Sequence, residues 1–587
     1  MTRKQRLELT WIGKENRPKL EPRILLEDTS KSYHGKHRVA ENDIFDNRLI
    51  FGDNLLALKA VEPEFAGKVK CIYIDPPFNT QQAFDLYDDG VEHSLWLSLL
   101  RDRLEIFRKL LSTDGTLFVH IDDNELGYLI VLLDEIFGRA NRLYVVTFKQ
   151  GSATGHKAIN PGCVSTTNYV LIYCRDKTQW VPNRVFTGRQ RDTRYGQFIV
   201  NIKDDFADWE LVTLTRAFAA ALGVAEKEAR RVGKDDPGRL DDFVLSNARS
   251  VIRTARPDYE GVGESVREMI DASKRRPAAI LKLERPGYSD MFFKNGERIL
   301  FYADKLKLVD GHYVAGEPLT TLWDDILSNN LHNEGGVQFP KGKKPEGLIK
   351  RCLDLATKPG DLVLDSFAGS GTTGAVAHKM GRRWLMVELG EHCHTHVIPR
   401  LKKVIDGEDL AGVTNAVGWK GGGGFRYYCL APSLLERDKW GNWVISRDYN
   451  AAMLAEALCK LEGFTYAPSD SVYWQQGHST ERDFIYVTTA SLTHEQLQQL
   501  SDEVGADRSL LVLCTAFRGR GDYANLTVKK IPKQVLSRCE WGHDDYSLQV
   551  ENLPKAPPAA LTPELSPRGR QGAKSPGQQG LFGEELP

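Results

Sequence analysis

Short apolar runs that end in a polar residue, separated by stretches with helical periodicity, occur in two separate parts of this chain. The first part holds L-I-F-G-D (49–53), V-K-C-I-Y-I-D (69–75), G-T-L-F-V-H-I-D (115–122) and R-L-Y-V-V-T-F (142–148). The second part holds L-V-L-D (362–365) and W-L-M-V-E (384–388). Short strands alternating with amphipathic helices are typical of a doubly wound α/β sheet. We expect the two parts to be halves of one sheet, split by an insertion.

Changes in composition divide the chain into six segments. The region between the two sheet halves is richer in Gly, Pro, Arg and Asp, the four glycines 421–424 indicate a hinge, and the C-terminus is rich in Pro, Gly, Ser and Gln. We predict an N-terminal arm (1–47), a first sheet half (48–150), an insert (151–320), a second sheet half (321–410), a smaller C-terminal α/β domain (425–550) and a disordered tail (554–587).

Composition and charge exclude several classes of protein. The chain has 587 residues, with 78 Lys and Arg against 79 Asp and Glu, so any surface for a nucleic acid must be a local patch. The 9 cysteines contain no C-x2-C pair, which favours reduced intracellular thiols over disulfides or a zinc ribbon. No stretch approaches the roughly 20 apolar residues of a membrane span, and the N-terminus is polar. We therefore expect a cytoplasmic protein without a membrane anchor.

A glycine-rich turn follows the strand 362–365 and precedes a helix. Its sequence, S-F-A-G-S-G-T-T (366–373), lets a ligand approach the backbone and offers unpaired helix N–H groups to an anion. The turn lacks the third glycine of the dinucleotide fingerprint and the lysine of a phosphate loop. The next strand ends in Glu388, where a carboxylate can accept hydrogen bonds from two ribose hydroxyls. A purely structural turn with a surface glutamate is the alternative.

The tetrapeptide Asp75-Pro76-Pro77-Phe78 follows the strand that begins near residue 69. Two consecutive prolines fix the backbone and remove its donors, which leaves a rigid cluster of acceptors beside an aromatic ring. Such a cluster suits an exocyclic base amine, because a carboxylate and a carbonyl that accept its two N–H groups stabilise the positive charge that develops on attack. Phe78 would stack on the base. A turn with no function is the alternative for the tetrapeptide alone.

In their order along the chain, L-I-F-G-D-N-L, I-D-P-P-F-N-T and D-S-F-A-G-S-G-T-T resemble the β-group amino-methyltransferases of DNA. The resemblance is closest to the modification (Mod) subunits of type III restriction-modification systems, and it covers about residues 45 to 410. In that family the catalytic half precedes the cofactor half, and a target-recognition region is inserted between them. The resemblance thus implies a circularly permuted, Rossmann-like methyltransferase sheet, with 48–150 as catalytic half, 151–320 as target-recognition insert and 321–410 as cofactor half.

The resemblance also implies roles for single residues. Asp75 and the Pro76 carbonyl would hold the target amine, with Pro77 fixing the turn and Phe78 stacked on the flipped base. The cofactor would be S-adenosyl-L-methionine. Its implied contacts are the loop Phe367, Ala368, Gly369, Ser370 and Gly371; Thr372 and Thr373 near its carboxylate; Asp365 near its amino group; Glu388 at its ribose; and Asp53 at its adenine amine. No metal is required.

One family motif departs from its pattern here. Residues 339–345, F-P-K-G-K-K-P, resemble the family's F-x-x-P-K-P, but two extra residues separate Pro340 from Lys344 and Pro345, which leaves the contacts of Lys344 open. His392-Cys393-His394 with His396 contain residue types that bind metals. We expect these residues to lie on a helix that sends neighbouring side chains to different faces, so we predict packing and surface roles for them and no metal.

The resemblance favours adenine N6 as the methylated atom, because D-P-P-(Y/F) goes mostly with adenine in this family. Methylation of cytosine N4, methylation of RNA, and a catalytically silent DNA-recognition subunit are the alternatives. The implied partners are double-stranded DNA, a second copy of the chain in a homodimer, and an ATP-dependent restriction (helicase-nuclease) subunit. The residues 578–582, Q-Q-G-L-F, also fit the Q-x-x-L-F pattern that docks on the bacterial sliding clamp. The domain 425–550 would be a docking surface.

Overall fold

The structure is a computed structural model, and it describes residues 8–36, 38–39, 41, 43–78, 93–151, 162–326, 331–339, 342–518, 522–533, 535–536 and 538–547. The predicted disordered tail (554–587), the clamp pattern (578–582) and Pro340 lie outside these residues.

Strands from both predicted halves form one sheet, which has 11 strands within the described residues. In order across the sheet these are Leu25–Glu27, Gly424–Leu430, Asn47–Phe51, Arg383–Glu388, Leu362–Asp365, Val69–Ile74, Leu111–Ile121, Thr167–Cys174, Arg142–Lys149 and Leu322–Trp323, with Tyr33–His34 paired to Gly424–Leu430. The strands from Asn47–Phe51 to Leu111–Ile121 pair in parallel. The expected α/β class is confirmed, and the carboxyl ends of these parallel strands share one edge.

Helices cover both faces of this sheet, as expected for a doubly wound fold. One face packs against Asn54–Phe65, His93–Leu110 and Leu126–Leu133, whose apolar residues share one core with the strands. The other face packs against Glu346–Ala356, Thr372–Lys379 and Ile398–Ile405, with a second core. Shorter helical turns in this region are Asp134–Gly138, Arg139–Asn141, Leu331–Gly336, Cys393–Val397 and Thr414–Val417.

The structure moves three of the predicted boundaries. Thr167–Cys174 lies between two strands of the main sheet, so the insert begins after it and not at residue 151. Part of the predicted arm, Leu25–Glu27, also pairs with the main sheet. Gly424–Leu430 is a further strand of that sheet, so the C-terminal domain begins later than residue 425.

The four glycines 421–424, the last of which begins that strand, are not a hinge. Gly421, Gly422 and Gly423 are buried and all have positive φ. A Cβ at Gly423 would lie 2.6 Å from the carbonyl oxygen of Ile44, and one at Gly421 would lie 2.9 Å from that of Ile405. Glycine is needed here because the backbone crosses neighbouring backbone at close range.

The insert forms its own small sheets and leaves the main sheet at the edge opposite the carboxyl ends of the parallel strands. Thr167–Cys174 runs antiparallel to Leu111–Ile121. After it, Asn183 donates to the carbonyls of Asp354 and Thr357 at 2.8 and 2.9 Å. The strands of the insert are Phe186–Gly188, Gln197–Ile199, Leu211–Thr213, Val251–Ala255, Ile280–Leu283, Met291–Lys294, Glu297–Phe301, Leu306–Val309 and His312–Pro318. Its helices are Leu214–Leu222, Glu226–Asp235, Pro237–Ser246 and Glu264–Arg275, with short turns at Phe206–Asp208 and Tyr302–Lys305.

A second α/β unit follows the main sheet. Its strands are Thr465–Tyr466, Gly477–His478, Asp483–Leu492, Ser509–Phe517 and Leu526–Lys530, and its helices are Ala451–Glu462 and His494–Val504. The hairpin Leu435–Arg437 and Trp443–Ile445 connects it to the main sheet. Among the described residues, none of the helices has the length and apolar character needed to cross a membrane.

Candidate active site

Four of the predicted site residues lie at one edge of the main sheet. Asp53 follows the strand Asn47–Phe51, Glu388 and Asp365 each end a strand, and Asp75 follows Val69–Ile74. These four strands are neighbours and run parallel. The sheet therefore brings the D-P-P-F and glycine-rich segments, nearly 300 residues apart in sequence, to adjacent strand ends.

Asp75 forms an ion pair with a residue whose contacts the sequence left open. Lys344 Nζ lies 2.5 Å from Asp75 Oδ2, and the two side chains are 11% and 20% exposed. The other carboxylate oxygen, Oδ1, is buried and has no hydrogen-bond partner within the described part of the chain. Burial raises the pKa of Asp75, and the nearby Lys344 ammonium opposes that rise. Asp75 thus has one oxygen engaged and one available.

Phe78 lies beside the same lysine and against a buried histidine. Lys344 Nζ is 5.0 Å from the centroid of the Phe78 ring, and His120 is 5.7 Å from it, centroid to centroid. His120 lies between Tyr73 Oη and Asn168 Nδ2, each at 3.1 Å from a ring nitrogen. Burial holds the pKa of His120 well below its usual value, so its ring is neutral at physiological pH. It is a polar support for Phe78.

The D-P-P-F turn is also held from the helix that follows it. Trp96 Nε1 donates to the Pro77 carbonyl at 2.6 Å. The carbonyl that the resemblance assigns to the target amine is the preceding one, of Pro76, so the Trp96 contact does not use it. The role of the Pro76 carbonyl stays a prediction.

The glycine-rich turn wraps around Asp365. Asp365 Oδ1 accepts from Phe367 N at 2.9 Å, and Oδ2 accepts from Thr373 Oγ1 at 2.5 Å. Gly371 has φ +74°, and a Cβ there would lie 2.9 Å from Val397 Cγ1, so only glycine fits. Burial raises the pKa of Asp365 to about 7, and the two hydrogen bonds oppose that rise.

Glu388 is buried and closes the other side of the turn. Its Oε2 accepts from Gly369 N at 2.7 Å, and its Oε1 accepts from Gly390 N at 2.9 Å. His392 Nε2 lies 3.0 Å from the same Oε1. The predicted ribose acceptor is therefore already fixed in place by two backbone amides and a histidine. Of the other members of the histidine cluster, Cys393 is buried and His394 contacts Glu391 and Tyr427.

Asp53, the predicted acceptor for the adenine amine, has both oxygens engaged. Oδ1 caps the helix Asn54–Phe65 by accepting from Leu55 N and Leu56 N at 2.9 and 3.0 Å. Oδ2 accepts from Tyr546 N at 3.0 Å and lies 3.5 Å from Arg103 Nη2. Burial raises the pKa of Asp53. A segment near the C-terminal end of the described chain thus covers this acceptor.

A buried ionic cluster supports the turn from below. Arg400 Nη1 donates to Thr372 Oγ1 at 2.8 Å and to the Ser370 carbonyl at 3.2 Å, while its Nη2 pairs with Glu346 at 2.7 Å. Glu346 also pairs with Lys379 at 2.8 Å, and all three charged side chains are fully buried. The cluster joins the helix after Lys344 to the glycine-rich turn. Ala368, the remaining predicted loop residue, is buried in the second core.

The structure assigns contacts that sequence reasoning did not give for four residues of the site. His120 and Arg103 were not named, the contacts of Lys344 were left open, and His392 was given a packing or surface role. A polar residue inside the apolar run G-T-L-F-V-H-I-D was a usable signal for His120, because a buried polar group needs partners. The contacts of Lys344, His392 and Arg103 could not be read from the sequence, since they depend on how distant segments pack. Among the described residues, no group of three or more His, Cys, Asp and Glu side chains could hold a metal ion.

Comparison with known proteins adds a family. Residues 69–398, more than half of the chain, match the family model N6_N4_Mtase, described as DNA methylase. The chain belongs to this DNA methylase family. The match spans both the D-P-P-F turn and the glycine-rich turn, as well as the insert between them.

Among curated proteins, the chain is similar to modification subunits. It is 35% identical over 411 residues to a Haemophilus influenzae protein named "Probable type III restriction-modification enzyme HindVI Mod subunit", a match covering 66% of this chain and 54% of that protein. It is 27% identical over 419 residues to the type III restriction-modification enzyme EcoPI Mod subunit of Escherichia phage P1, covering 64% of this chain and 61% of that protein. The chain thus spans little more than half the length of these relatives.

Among solved structures, the PvuII DNA methyltransferase, described as cytosine-N4-specific, is 14% identical, with a TM-score of 0.29, and covers 66% of this chain and 95% of its own. The complex of M1.HpyAVI with SAM is 12% identical, with a TM-score of 0.28, and covers 60% of this chain and 98% of its own.

Proposed function

We propose that this DNA methylase transfers a methyl group from S-adenosyl-L-methionine to adenine N6 in double-stranded DNA, as the modification component of a restriction-modification system. The observation that carries the proposal is Asp75 Oδ1, a buried acceptor with no partner in the described chain, at the same sheet edge as the glycine-rich turn. An orphaned carboxylate oxygen at a strand end fits an N–H donor that arrives with the substrate.

The residues at this edge suit a cationic cofactor. Asp53, Asp75, Asp365 and Glu388 all lie at this edge, while the cations that contact them are Arg103 at Asp53 and Lys344 at Asp75 among the ion pairs of the described residues. Carboxylates therefore outnumber Lys and Arg side chains there, which favours a ligand with a sulfonium and an amino group. Ser366 Oγ is a second buried polar atom with no partner among the described residues. The residues that would hold the cofactor are those the resemblance implies: Asp53, Asp365, Phe367, Ala368, Gly369, Ser370, Gly371, Thr372, Thr373 and Glu388. When bound, the cofactor would supply a methyl group activated by the positive charge on sulfur.

The chain's own part in the reaction is to hold an amine and manage its proton. Asp75 Oδ1 would accept an N–H of the target amine, which keeps the nitrogen lone pair aimed at the methyl carbon. As the nitrogen gains the methyl group, its positive charge develops beside this carboxylate, which stabilises it. Asp75 can then take the proton that the nitrogen loses. Phe78 would hold the base by stacking, with Trp96 and His120 fixing the turn behind it.

The DNA would be bound partly by the insert. A cavity of about 420 Å³ within it is lined by Arg184, Arg253, Arg298, Lys305 and Lys307, with Asp304 as the acidic residue in that lining. The Nε atoms of Arg253 and Arg298 are buried without a hydrogen-bond partner in the described chain, so this cavity suits an anionic group such as a DNA phosphate. Because the methylated atom lies inside the duplex, the base must be turned out, at a cost of a few kcal/mol.

The similarity to Mod subunits supports a partnership with a restriction subunit in a type III enzyme. We also propose that the chain works as a homodimer. The clamp pattern at 578–582 stays a prediction, and so do the roles of the C-terminal unit and a cytoplasmic location.

Transfer of tritiated methyl groups to DNA tests the proposal. Purified protein is incubated with labelled S-adenosyl-L-methionine and genomic DNA from cells that lack this gene, and the modified nucleosides are identified by mass spectrometry. We expect N6-methyladenine from the wild type and loss of transfer in Asp75→Ala with retained cofactor binding. The matched control is Asp114→Ala, because Asp114 pairs with Lys70 at 2.5 Å near the opposite edge of the same sheet.

Four outcomes would contradict the proposal in different ways. Detection of N4-methylcytosine would show that the methylated base is cytosine and not adenine. Label in RNA alone would show that the substrate is RNA and not DNA. No transfer to any nucleic acid, with intact DNA binding, would favour a silent recognition subunit. Retained transfer by Asp75→Ala would remove Asp75 from the mechanism.

A further inference from the structure

Lys344 is the one charged partner of Asp75 among the described residues, and it makes the two oxygens of the Asp75 carboxylate different. Its ammonium engages Oδ2 at 2.5 Å, while Oδ1 is buried and unpaired. Had the lysine bridged both oxygens, the target amine would need to displace it. As the contact stands, one oxygen fixes the side chain and the other faces no described donor.

The position of Lys344 is itself fixed from several sides. Its neighbour Lys343 donates to the carbonyls of Glu334 and Val337, the second at 3.0 Å. Two residues after Lys344, Glu346 begins the helix Glu346–Ala356 and sits fully buried in its pairs with Arg400 and Lys379. The backbone of Lys344 is thus anchored on both sides by buried charges, which keep its side chain directed at Asp75 in the D-P-P-F turn.

We propose that Lys344 is a positioning residue for methyl transfer: it stays bound to Asp75 Oδ2 while the target amine uses Oδ1, and so keeps the carboxylate ionised and oriented during the reaction. The inference rests on the proposed function and deepens it, because it assigns how the same site is kept in its reactive state.

The electrostatics of the site show why such a residue is needed. Asp75 interacts electrostatically with Asp365 and with the Tyr73 hydroxyl, and the His120 ring beside Phe78 is neutral, so Lys344 supplies the positive charge in the described surroundings. Burial favours protonation of Asp75. A protonated Asp75 would lose its negative charge and stabilise the developing cation poorly. The lysine opposes that protonation.

The ammonium also lies 5.0 Å from the Phe78 ring centroid, which allows an opposite role. Lys344 could fill the place of the target base and leave when the base enters. The two roles predict opposite effects of removing the lysine. A positioning lysine makes methyl transfer slower when it is lost, whereas a plug makes base entry easier.

The test is the pH dependence of single-turnover methyl transfer for the wild type, Lys344→Met and Lys344→Arg, from about pH 5.5 to about pH 9. We expect the acidic limb of Lys344→Met to move to higher pH by about 1 to 3 units, because a cation next to a carboxylate lowers its pKa by that amount. Lys344→Arg should restore most of the shift, since it keeps the charge. The control Lys70→Met breaks an ion pair of the same length near the opposite sheet edge and should leave the acidic limb in place.

A second measurement does not depend on activity. The midpoint of thermal unfolding is compared between Lys344→Met and wild type across the same pH range, and again with Asp75→Asn in both proteins. We expect the loss of Lys344 to destabilise the protein more at high pH than at low pH, because it leaves an ionised Asp75 buried without a partner. In the Asp75→Asn background this pH dependence should disappear.

Several results would overturn the inference. Coincident acidic limbs for the wild type and Lys344→Met would show that the lysine does not control Asp75. Faster transfer or tighter binding of DNA containing 2-aminopurine at the target position by Lys344→Met would favour the plug. A wild type that transfers no methyl group refutes the proposed function instead, and the unfolding measurement then decides whether the ion pair acts on Asp75.

Discussion

Burial of Asp365 predicts that cofactor binding releases a proton. The side chain is 3% exposed and ends its strand with no cation in contact among the described residues. Burial raises its pKa to about 7 from 3.8, against the two hydrogen bonds from Phe367 N and Thr373 Oγ1. In the proposed complex the amino group of the cofactor lies near this carboxylate. A nearby cation lowers the pKa of an acid by about 1 to 3 units.

The expected size follows from the pKa. With a pKa of about 7, Asp365 is about three quarters protonated at about pH 6.5 and under one tenth protonated at about pH 8.5. If binding lowers the pKa by about 2 units, it releases about 0.7 proton at the lower pH and under about 0.1 at the higher. The same shift affects stability. An acid with a raised folded-state pKa stabilises the fold at low pH and loses that contribution, up to about 4 kcal/mol, as pH rises from about 4 to about 7.

Isothermal titration calorimetry measures the proton directly. The cofactor is titrated into wild type and Asp365→Asn in buffers of different ionisation enthalpy, and the slope of observed enthalpy against that enthalpy gives the protons exchanged. The difference between the two proteins isolates the protons exchanged through Asp365. We expect that difference to be a release of about 0.7 proton at about pH 6.5, where the amino group of the cofactor is already protonated. Equal slopes at the lower pH would show that Asp365 is ionised before binding, and would refute the reasoning from burial.

Two further predictions concern the insert and the C-terminal segment. Arg253→Gln should reduce the slope of log affinity for DNA against log salt concentration by about 1, because it removes one cation from the cavity in the insert. The control Arg230→Gln, on an exposed helix, should leave the slope unchanged. Equal slopes for Arg253→Gln and the wild type would exclude the cavity from DNA binding. Tyr546→Pro removes the N–H that donates to Asp53 Oδ2 and so frees that oxygen for the adenine amine of the cofactor. The Kd for the cofactor, measured by calorimetry, should fall by up to about tenfold, while the control Tyr546→Ala keeps the N–H and the Kd. An unchanged Kd in Tyr546→Pro would mean that the adenine amine does not use that oxygen.

The fold was accessible from the sequence because its pattern is local. The strands that lead to Asp53, Asp75, Asp365 and Glu388 carry their own apolar pattern, and parallel strands place their carboxyl ends at one edge. The stretches with helical periodicity between these strands form helices such as His93–Leu110 and Leu126–Leu133 for the same reason. The split of the sheet into two halves was visible in the pattern, and the family resemblance implied that this split is a circular permutation.

The boundaries were less accessible because they depend on pairing between distant segments. Thr167–Cys174 is apolar like any strand, but only its pairing with Leu111–Ile121 makes it part of the main sheet. The glycines before Gly424–Leu430 indicate flexibility when seen alone, yet neighbouring backbone at 2.6 Å from a Cβ at Gly423 makes them a close-packed crossing. Composition does not distinguish a glycine that permits motion from one that permits contact.

The site shows the same division at the level of atoms. The motif L-I-F-G-D identifies Asp53 as an acid that follows a strand. Because Asp53 directly precedes the helix Asn54–Phe65, the sequence also indicates that it caps this helix. The occupation of its second oxygen by Tyr546, 493 residues later, has no trace in the local sequence. The same holds for Asp75 and Lys344, 269 residues apart. Motifs thus name the atoms that a ligand should meet, but the packing of distant segments decides which of those atoms are free. At Asp75 the packing leaves Oδ1 without a partner in the described chain, whereas at Asp53 a ligand must displace a protein group, so binding at the proposed substrate contact and at the proposed cofactor contact should differ in cost.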